Sequence, residues 1–155
     1  MLTNGFNHVA ILTCDTERLH RFYEDVFDAV VMRDGAEAGD ADVRMSVIHV
    51  GPHSELNVFE IKGNEQAAHQ TPMFGRGRID HLALQAESID SFETIRDRLM
   101  ARGAADDFVT DFGPIYSVFF RDPDGLECEV CVGNPDAAPG AGNPPGTPAA
   151  RYVTS

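Results

Sequence analysis

Four residues carry the chemistry that this sequence offers: His8, Glu60, His81 and Glu129. His8 stands third in Phe6-Asn-His-Val-Ala-Ile-Leu12, and His81 third in Ile79-Asp-His-Leu-Ala-Leu-Gln85. Glu60 stands in Leu56-Asn-Val-Phe-Glu-Ile61 and Glu129 in Leu126-Glu-Cys-Glu-Val130. His8 precedes Glu60 by 52 positions and His81 precedes Glu129 by 48. Strand alternation sets His8 with Phe6, Ala10 and Leu12, His81 with Ile79 and Ala83, and Glu60 with Leu56 and Val58. A carboxylate on such an apolar face is costly unless it is paired or bound to a metal. Two neutral imidazoles and two carboxylates make a nitrogen/oxygen set suited to one divalent Zn, Ni, Co, Mn or Fe ion. The ion and the two carboxylates sum to zero charge, and an open position would take a substrate oxygen and stabilise an enolate or enediolate. A lone strand histidine is ordinarily a packed or surface side chain. The four matched positions together carry the reading. Glu127 shares the alternating face of Glu129 and is a rival ligand; the fixed distance from the Asp122-Pro-Asp-Gly125 turn favours Glu129.

The elements that must position these residues form a repeat. Each histidine strand is followed by an amphipathic helix. In the first, Asp15 or Thr16 can cap, and Leu19, Phe22, Tyr23, Val26 and Phe27 form the apolar stripe. In the second, Ser88 can cap, Phe92, Ile95 and Leu99 line the stripe, and Gly103 sits where a helix C-terminal glycine belongs. Strand-like runs follow at Ala29–Met32, Val43–Val50 and Leu56–Ile61, then at Asp107–Val109, Ser117–Arg121 and Glu127–Val132, the last two joined by the Asp122-Pro-Asp-Gly125 hairpin turn. The chain reads strand, helix, three strands, twice over. The expected organisation is one domain over 1–133, with repeats at about 5–62 and 78–132. A Pro/Gly-rich tail follows over 134–155. Sheets that curl about a common pseudo-two-fold would let the four site residues meet.

Composition removes whole classes of function. The chain has 155 residues, and 12 Lys+Arg against 25 Asp+Glu give a net charge of −13, the wrong sign for a protein that neutralises phosphates. Eleven acids cluster at Asp34–Asp42, Asp106–Asp111 and Asp122–Glu129 with no basic residue among them, and read mainly as solvated loops. No apolar run approaches the roughly 20 residues of a membrane span, and the first residues lack the pattern of a secretory signal. Three cysteines, Cys14, Cys128 and Cys131, make no disulfide scaffold and fit a reducing cytoplasm. Cys128-x-x-Cys131 lacks a second half for a zinc motif, and its two thiols fall on opposite strand faces.

The His8 strand with its Phe22-Tyr23 helix, the His81 strand, and Phe119-Phe-Arg-Asp-Pro-Asp-Gly-Leu-Glu-Cys-Glu129 together resemble the vicinal oxygen chelate superfamily. It includes glyoxalase I, methylmalonyl-CoA epimerase, extradiol dioxygenases, fosfomycin-resistance enzymes and bleomycin-resistance proteins. The resemblance covers about 5–133. It implies an α+β fold in which two βαβββ modules form a curved mixed sheet around a metal cavity, usually in a homodimer. It also implies metal ligands at the positions of His8, Glu60, His81 and Glu129. Competent ligands at all four argue against a binding-only, resistance-type module. The His/Glu/His/Glu set is similar to bacterial glyoxalase I and related isomerases, where a ligand glutamate moves a proton between adjacent carbons; here Glu129 or Glu60 would be that base.

The alternative uses three of these residues. His8, His81 and Glu129 make the two-histidine, one-carboxylate set of an Fe(II) extradiol-type dioxygenase, with Tyr116 and His49 as candidates around it. In either case the partner is a small molecule with adjacent oxygens, not nucleic acid or membrane. The cations available for an anionic carrier on the substrate are Arg33, Arg44, Arg76, Arg78 and Arg121. The connection Lys62–Arg78, with Met73 and Phe74, is a candidate lid or dimer contact.

Overall fold

The computed structural model describes residues 2, 3, 5–37 and 40–138. Most of the Pro/Gly-rich tail thus lies outside the described residues. Its first part docks: Asn134 donates its backbone N–H to Pro114 O at 2.9 Å and its amide to Gly113 O at 2.8 Å.

The repeat is realised as two compact units, Met1–Gln70 and Thr71–Ser155. The first holds β1 (His8–Leu12), α1 (Thr16–Phe27), β2 (Val30–Glu37), β3 (Asp40–Gly51) and β4 (Ser54–Ile61), closed by a single 3-10 turn at Gln66–Ala68. The second holds β5 (Leu82–Gln85), α2 (Ile89–Ala101), β6 (Thr110–Asp111), β7 (Ile115–Arg121) and β8 (Glu127–Gly133). Each unit forms its own four-stranded mixed sheet, in order β1-β4-β3-β2 and β5-β8-β7-β6. In both, the opening strand pairs parallel with the closing strand and the other pairs are antiparallel. This is an α+β fold of two βαβββ modules. Among the described residues no helix is long and apolar enough to cross a membrane.

The helices cover one face of each sheet. Asp15 caps α1 by accepting from Arg18 N at 2.9 Å, and Asp28 ends it in the left-handed region at φ 52°, a conformation that Asp tolerates. The α1 stripe of Leu19, Tyr23 and Val26 is fully buried, as are Ile48, Leu56 and Val58 of the sheet. In the second unit Phe92 and Leu99 of α2 are buried, as are Val118, Phe120, Cys128 and Val130. Each such aliphatic or aromatic side chain contributes roughly 1.5–3 kcal/mol when removed from water. Register then fixes the other face. Val9↔Leu56 and Ile11↔Val58 lie on the helix side, so His8↔Glu55, Ala10↔Asn57 and Leu12↔Phe59 lie on the open side. In the second unit Leu82↔Cys128 and Leu84↔Val130 are on the helix side and Ala83↔Glu129 on the open side.

Two expected elements move. The run Asp107–Val109 is not a strand: Asp106 accepts from Phe108 N at 2.9 Å in a side-chain turn, and pairing starts only at Thr110. His81 falls just before β5 rather than inside it.

Candidate metal centre

His81 and Glu129 come together in the second unit. Ala83 pairs with Glu129 across β5 and β8, and His81, two residues earlier on the same face, brings Nε2 to 3.1 Å from Glu129 Oε2. Each side chain is anchored at its far atom. Asp80 Oδ2 lies 2.8 Å from His81 Nδ1, and Ser117 Oγ donates to Glu129 Oε1. Asp80 is itself fixed by the backbone N–H of Phe74, and its hydrogen bond to His81 holds its carboxyl below the usual range. Were Nδ1 to donate to Asp80, Nε2 would be the ring atom available to an ion shared with Glu129 Oε2. His81 Nε2 and Glu129 Oε2, 3.1 Å apart, are close enough that one divalent ion would be held by both. The carboxylate behind the histidine is the usual support of a metal-bound imidazole. The donors present therefore fit a divalent metal. The edge of Phe119, with ring centroids 6.1 Å apart, packs against the His81 imidazole.

Two further expectations concern the neighbours of Glu129. Cys131 follows on the same face, and burial together with the Glu129 charge pushes its thiol up to about 12; it stays a neutral S–H beside the carboxylate. Cys128 points to the core, and burial pushes its thiol up as well. Glu127 is already occupied. Arg76 Nη2 reaches its Oε2 at 3.0 Å, Arg121 Nη2 its Oε1 at 3.1 Å, and Met73 N also donates to it. With both Arg76 and Glu127 side chains at or below 10% exposure, this is a structural ion pair that ties the segment before His81 to β8. Phe74, between these anchors, is held at φ 67°, a left-handed conformation that costs an ordinary residue roughly 1–2 kcal/mol.

The first unit treats its two predicted residues differently. His8 lies on the open face, exposed, with Nδ1 2.8 Å from Asn7 Oδ1. Glu60 lies on the opposite, helix-side face, in line with Leu56 and Val58. There its Oε2 accepts from Thr16 N at 2.8 Å and Thr16 Oγ1 at 2.6 Å. The structure thus separates Glu60 from His8 and uses it to satisfy the first N–H of α1, where a negative charge is also favoured by the helix dipole. The residue that stands to His8 as Glu129 stands to His81 is Asn57, which pairs with Ala10 as Glu129 pairs with Ala83. The signal was present in the spacing, since His8 to Asn57 is 49 positions, nearer to the 48 of the second repeat than the 52 to Glu60. Asn57 Oδ1 is buried and has no hydrogen-bond partner among the described residues.

Among the other candidates, His49 Nε2 lies 3.0 Å from Glu55 Oε1 on the open face of the first unit. Tyr116 pairs with Val132 and so takes the helix-side face, away from Ser117 and Glu129. Arg44 is engaged by Asp34 and Glu17. Among the described residues no three His, Cys, Asp or Glu side chains converge as a ready-made metal cage, so the His81–Glu129 pair is a two-donor element.

Comparison with known proteins agrees with this architecture. Solved structures with the same fold include a glyoxylase/bleomycin resistance protein/dioxygenase domain from Frankia sp. EAN1pec, 22% identical over 85% of this chain and 99% of that one, with a TM-score of 0.70. A point mutant of the fosfomycin resistance protein FosX from Listeria monocytogenes, complexed with Mn(II) and 1S,2S-dihydroxypropylphosphonic acid, is 15% identical over 86% of this chain and 95% of that one, at 0.64. Lactoylglutathione lyase from Agrobacterium tumefaciens is 19% identical over 86% and 96%, at 0.59. No curated protein matches the chain significantly. The family model for the Glyoxalase/Bleomycin resistance protein/Dioxygenase superfamily matches residues 5–130, and the chain belongs to that superfamily.

Proposed function

We propose that this chain is a metal-dependent enzyme acting on a small molecule through two adjacent oxygens, with His81 and Glu129 as metal ligands. The observation that supports it is the 3.1 Å approach of His81 Nε2 and Glu129 Oε2, each braced from behind by Asp80 or Ser117. His8 is the other imidazole of the proposed set, contributed by this chain or by a second copy in a homodimer. A bound divalent ion would supply Lewis acidity to the substrate's oxygens.

The reaction proposed is a proton shift beside a carbonyl/hydroxyl pair, of the lyase or isomerase kind. Glu129 is then the base. Its Oε1 stays held by Ser117 and its neighbour is the neutral Cys131 thiol. To act as base, Oε2 would have to come off the ion to take and return the proton, while Ser117 keeps Oε1 anchored. Asp80 keeps His81 in one tautomer and Phe119 keeps its ring in place. Glu60, bonded to α1, has no part in this step. The relatives support the chemical class: one is named a lactoylglutathione lyase, and another is complexed with Mn(II) and a vicinal diol.

One observation favours the Fe(II) dioxygenase reading. With Glu60 turned to the helix, the remaining set is two histidines and one carboxylate. Tyr116, on the other sheet face, does not join it.

Metal analysis of protein purified without chelators, followed by assays of the reloaded apoprotein, tests the proposal. Stoichiometric Zn, Ni, Co or Mn with hemithioacetal isomerisation, lost in Glu129→Gln and retained in Glu60→Gln, is the expected result. Iron with oxygen uptake on catechols favours the dioxygenase. No stoichiometric divalent metal, and none bound on reloading, overturns both.

A further inference from the structure

We infer that Asn57, not Glu60, is the first repeat's counterpart of Glu129, and that its amide oxygen is a neutral metal donor beside His8. The inference rests on the metal-dependent reading above. Three independent observations carry it. Pairing places Asn57 opposite Ala10, two residues after His8 and on its face, as Glu129 is placed opposite Ala83, two residues after His81. Among the described residues Asn57 Oδ1 is buried without a partner, and an unsatisfied buried carbonyl costs about 1–3 kcal/mol unless something occupies it. Glu60 Oε2 is committed to Thr16 N and Oγ1 on the other face.

An amide carbonyl is a hard oxygen donor, weaker than a carboxylate but competent for Mn(II) and similar ions. Its neutrality has a consequence for the substrate. With Glu60 as a ligand, two carboxylates would cancel a divalent ion; with Asn57, Glu129 alone leaves a net charge of +1. A centre so charged prefers an anionic chelate over a neutral diol. The substrate class is therefore a molecule whose adjacent oxygens bind as a monoanion, such as a singly deprotonated enediol or catechol, or a hydroxamate.

Calorimetric titration of the apoprotein with Mn(II) alone tests this. Asn57→Asp, isosteric and added to a metal-facing position, is expected to raise Mn(II) affinity about tenfold or more, and Asn57→Ala to lower it by a similar factor. Acetohydroxamate, a monoanionic bidentate probe, is expected to bind the Mn(II)-loaded Asn57→Asp protein at least about fivefold more weakly than the loaded wild type, because a second carboxylate opposes it. Glu60→Gln is expected to leave Mn(II) affinity within about twofold while lowering the unfolding midpoint. Mn(II) affinity unmoved in both Asn57 variants, while Glu129→Gln lowers it, overturns the inference and leaves the metal reading standing. Loss of Mn(II) binding in Glu60→Gln without loss of stability overturns it too. Affinity unmoved in His81→Ala and Glu129→Gln instead removes the metal reading beneath it. Should Asn57→Ala fail to fold, the Asp variant decides alone.

Discussion

Replacing Asp80 by Ala removes the acceptor behind His81 Nδ1 while leaving both proposed ligands in place. Losing such a support costs metal sites about 10–100-fold in affinity, and that loss is expected here on titration of the apoprotein with Zn(II) or Mn(II). Asp80→Asn, whose amide oxygen still accepts from Nδ1, is expected to recover most of it. Unchanged affinity in the Ala variant would show that His81 does not bind metal through Nε2. Glu60 makes the opposite prediction. Glu60→Ala strips two hydrogen bonds from Thr16 and is expected to cost about 1–3 kcal/mol in urea unfolding. Residue types and alternation made the approach of His81 to Glu129 legible in the sequence, because Glu129 lies on a strand face that can be counted from its neighbours and His81 directly precedes β5. Glu60 turns to Thr16 for a physical reason. Its neighbours Leu56 and Val58 are apolar because they face α1, so a carboxylate in line with them points at a helix end and not at a cavity. The 49-position spacing hints at Asn57, and the pairing of Asn57 with Ala10 tells the two faces apart.

At the scale of elements, the Asp122-Pro-Asp-Gly125 turn is both the most distinctive sequence motif and a titrating one. Asp122 is buried at 6% exposure, and its Oδ1 accepts from Asp124 N at 3.0 Å and Leu126 N at 2.8 Å. Burial is the larger influence and raises its carboxyl from an ordinary 3.8 to about 6. A raised acid binds its proton more tightly in the folded chain, so its contribution to stability is fully present below about pH 3.8 and is lost as pH rises through about 6. The loss amounts to about 3 kcal/mol across that window. Asp122→Asn keeps an oxygen for both backbone donors and never ionises. It is expected to be nearly neutral at pH 4, to stabilise the protein at pH 7.5, and to flatten the intervening slope in urea unfolding. An unchanged slope would show that Asp122 does not titrate in that range. The repeated βαβββ order was legible because both helices carry long apolar stripes and cap residues. β6 was not, because an Asp106 side chain that bonds Phe108 N leaves no trace in hydrophobic periodicity.

Over the whole molecule, the net charge of −13 attracts divalent cations whether or not a site exists, and the two kinds of binding must be separated. Diffuse attraction to surface acids fades as the screening length shrinks from about 10 Å at 0.1 M salt to about 3 Å at 1 M, whereas a ligated ion is held by short bonds to its donors. A specific site also stabilises by mass action, by about 2.7 kcal/mol at a hundredfold excess over its dissociation constant. For a chain of this length that corresponds to a rise of roughly 5–11 °C in Tm. The chelated protein, reloaded with Zn(II) or Mn(II) in 0.5 M salt, is expected to show a rise of that order by calorimetry. Mg(II) at equal concentration is expected to show little, because it favours all-oxygen coordination over imidazole. His81→Ala and Glu129→Gln are expected to abolish the rise. The His8→Ala result then divides the molecule: an unchanged rise means that the second repeat holds the ion with its own side chains, and a lost rise means that the first repeat supplies a donor. A shift in wild type that vanishes in 0.5 M salt would assign the metal to the acidic surface and leave His81 and Glu129 as an ordinary hydrogen-bonded pair.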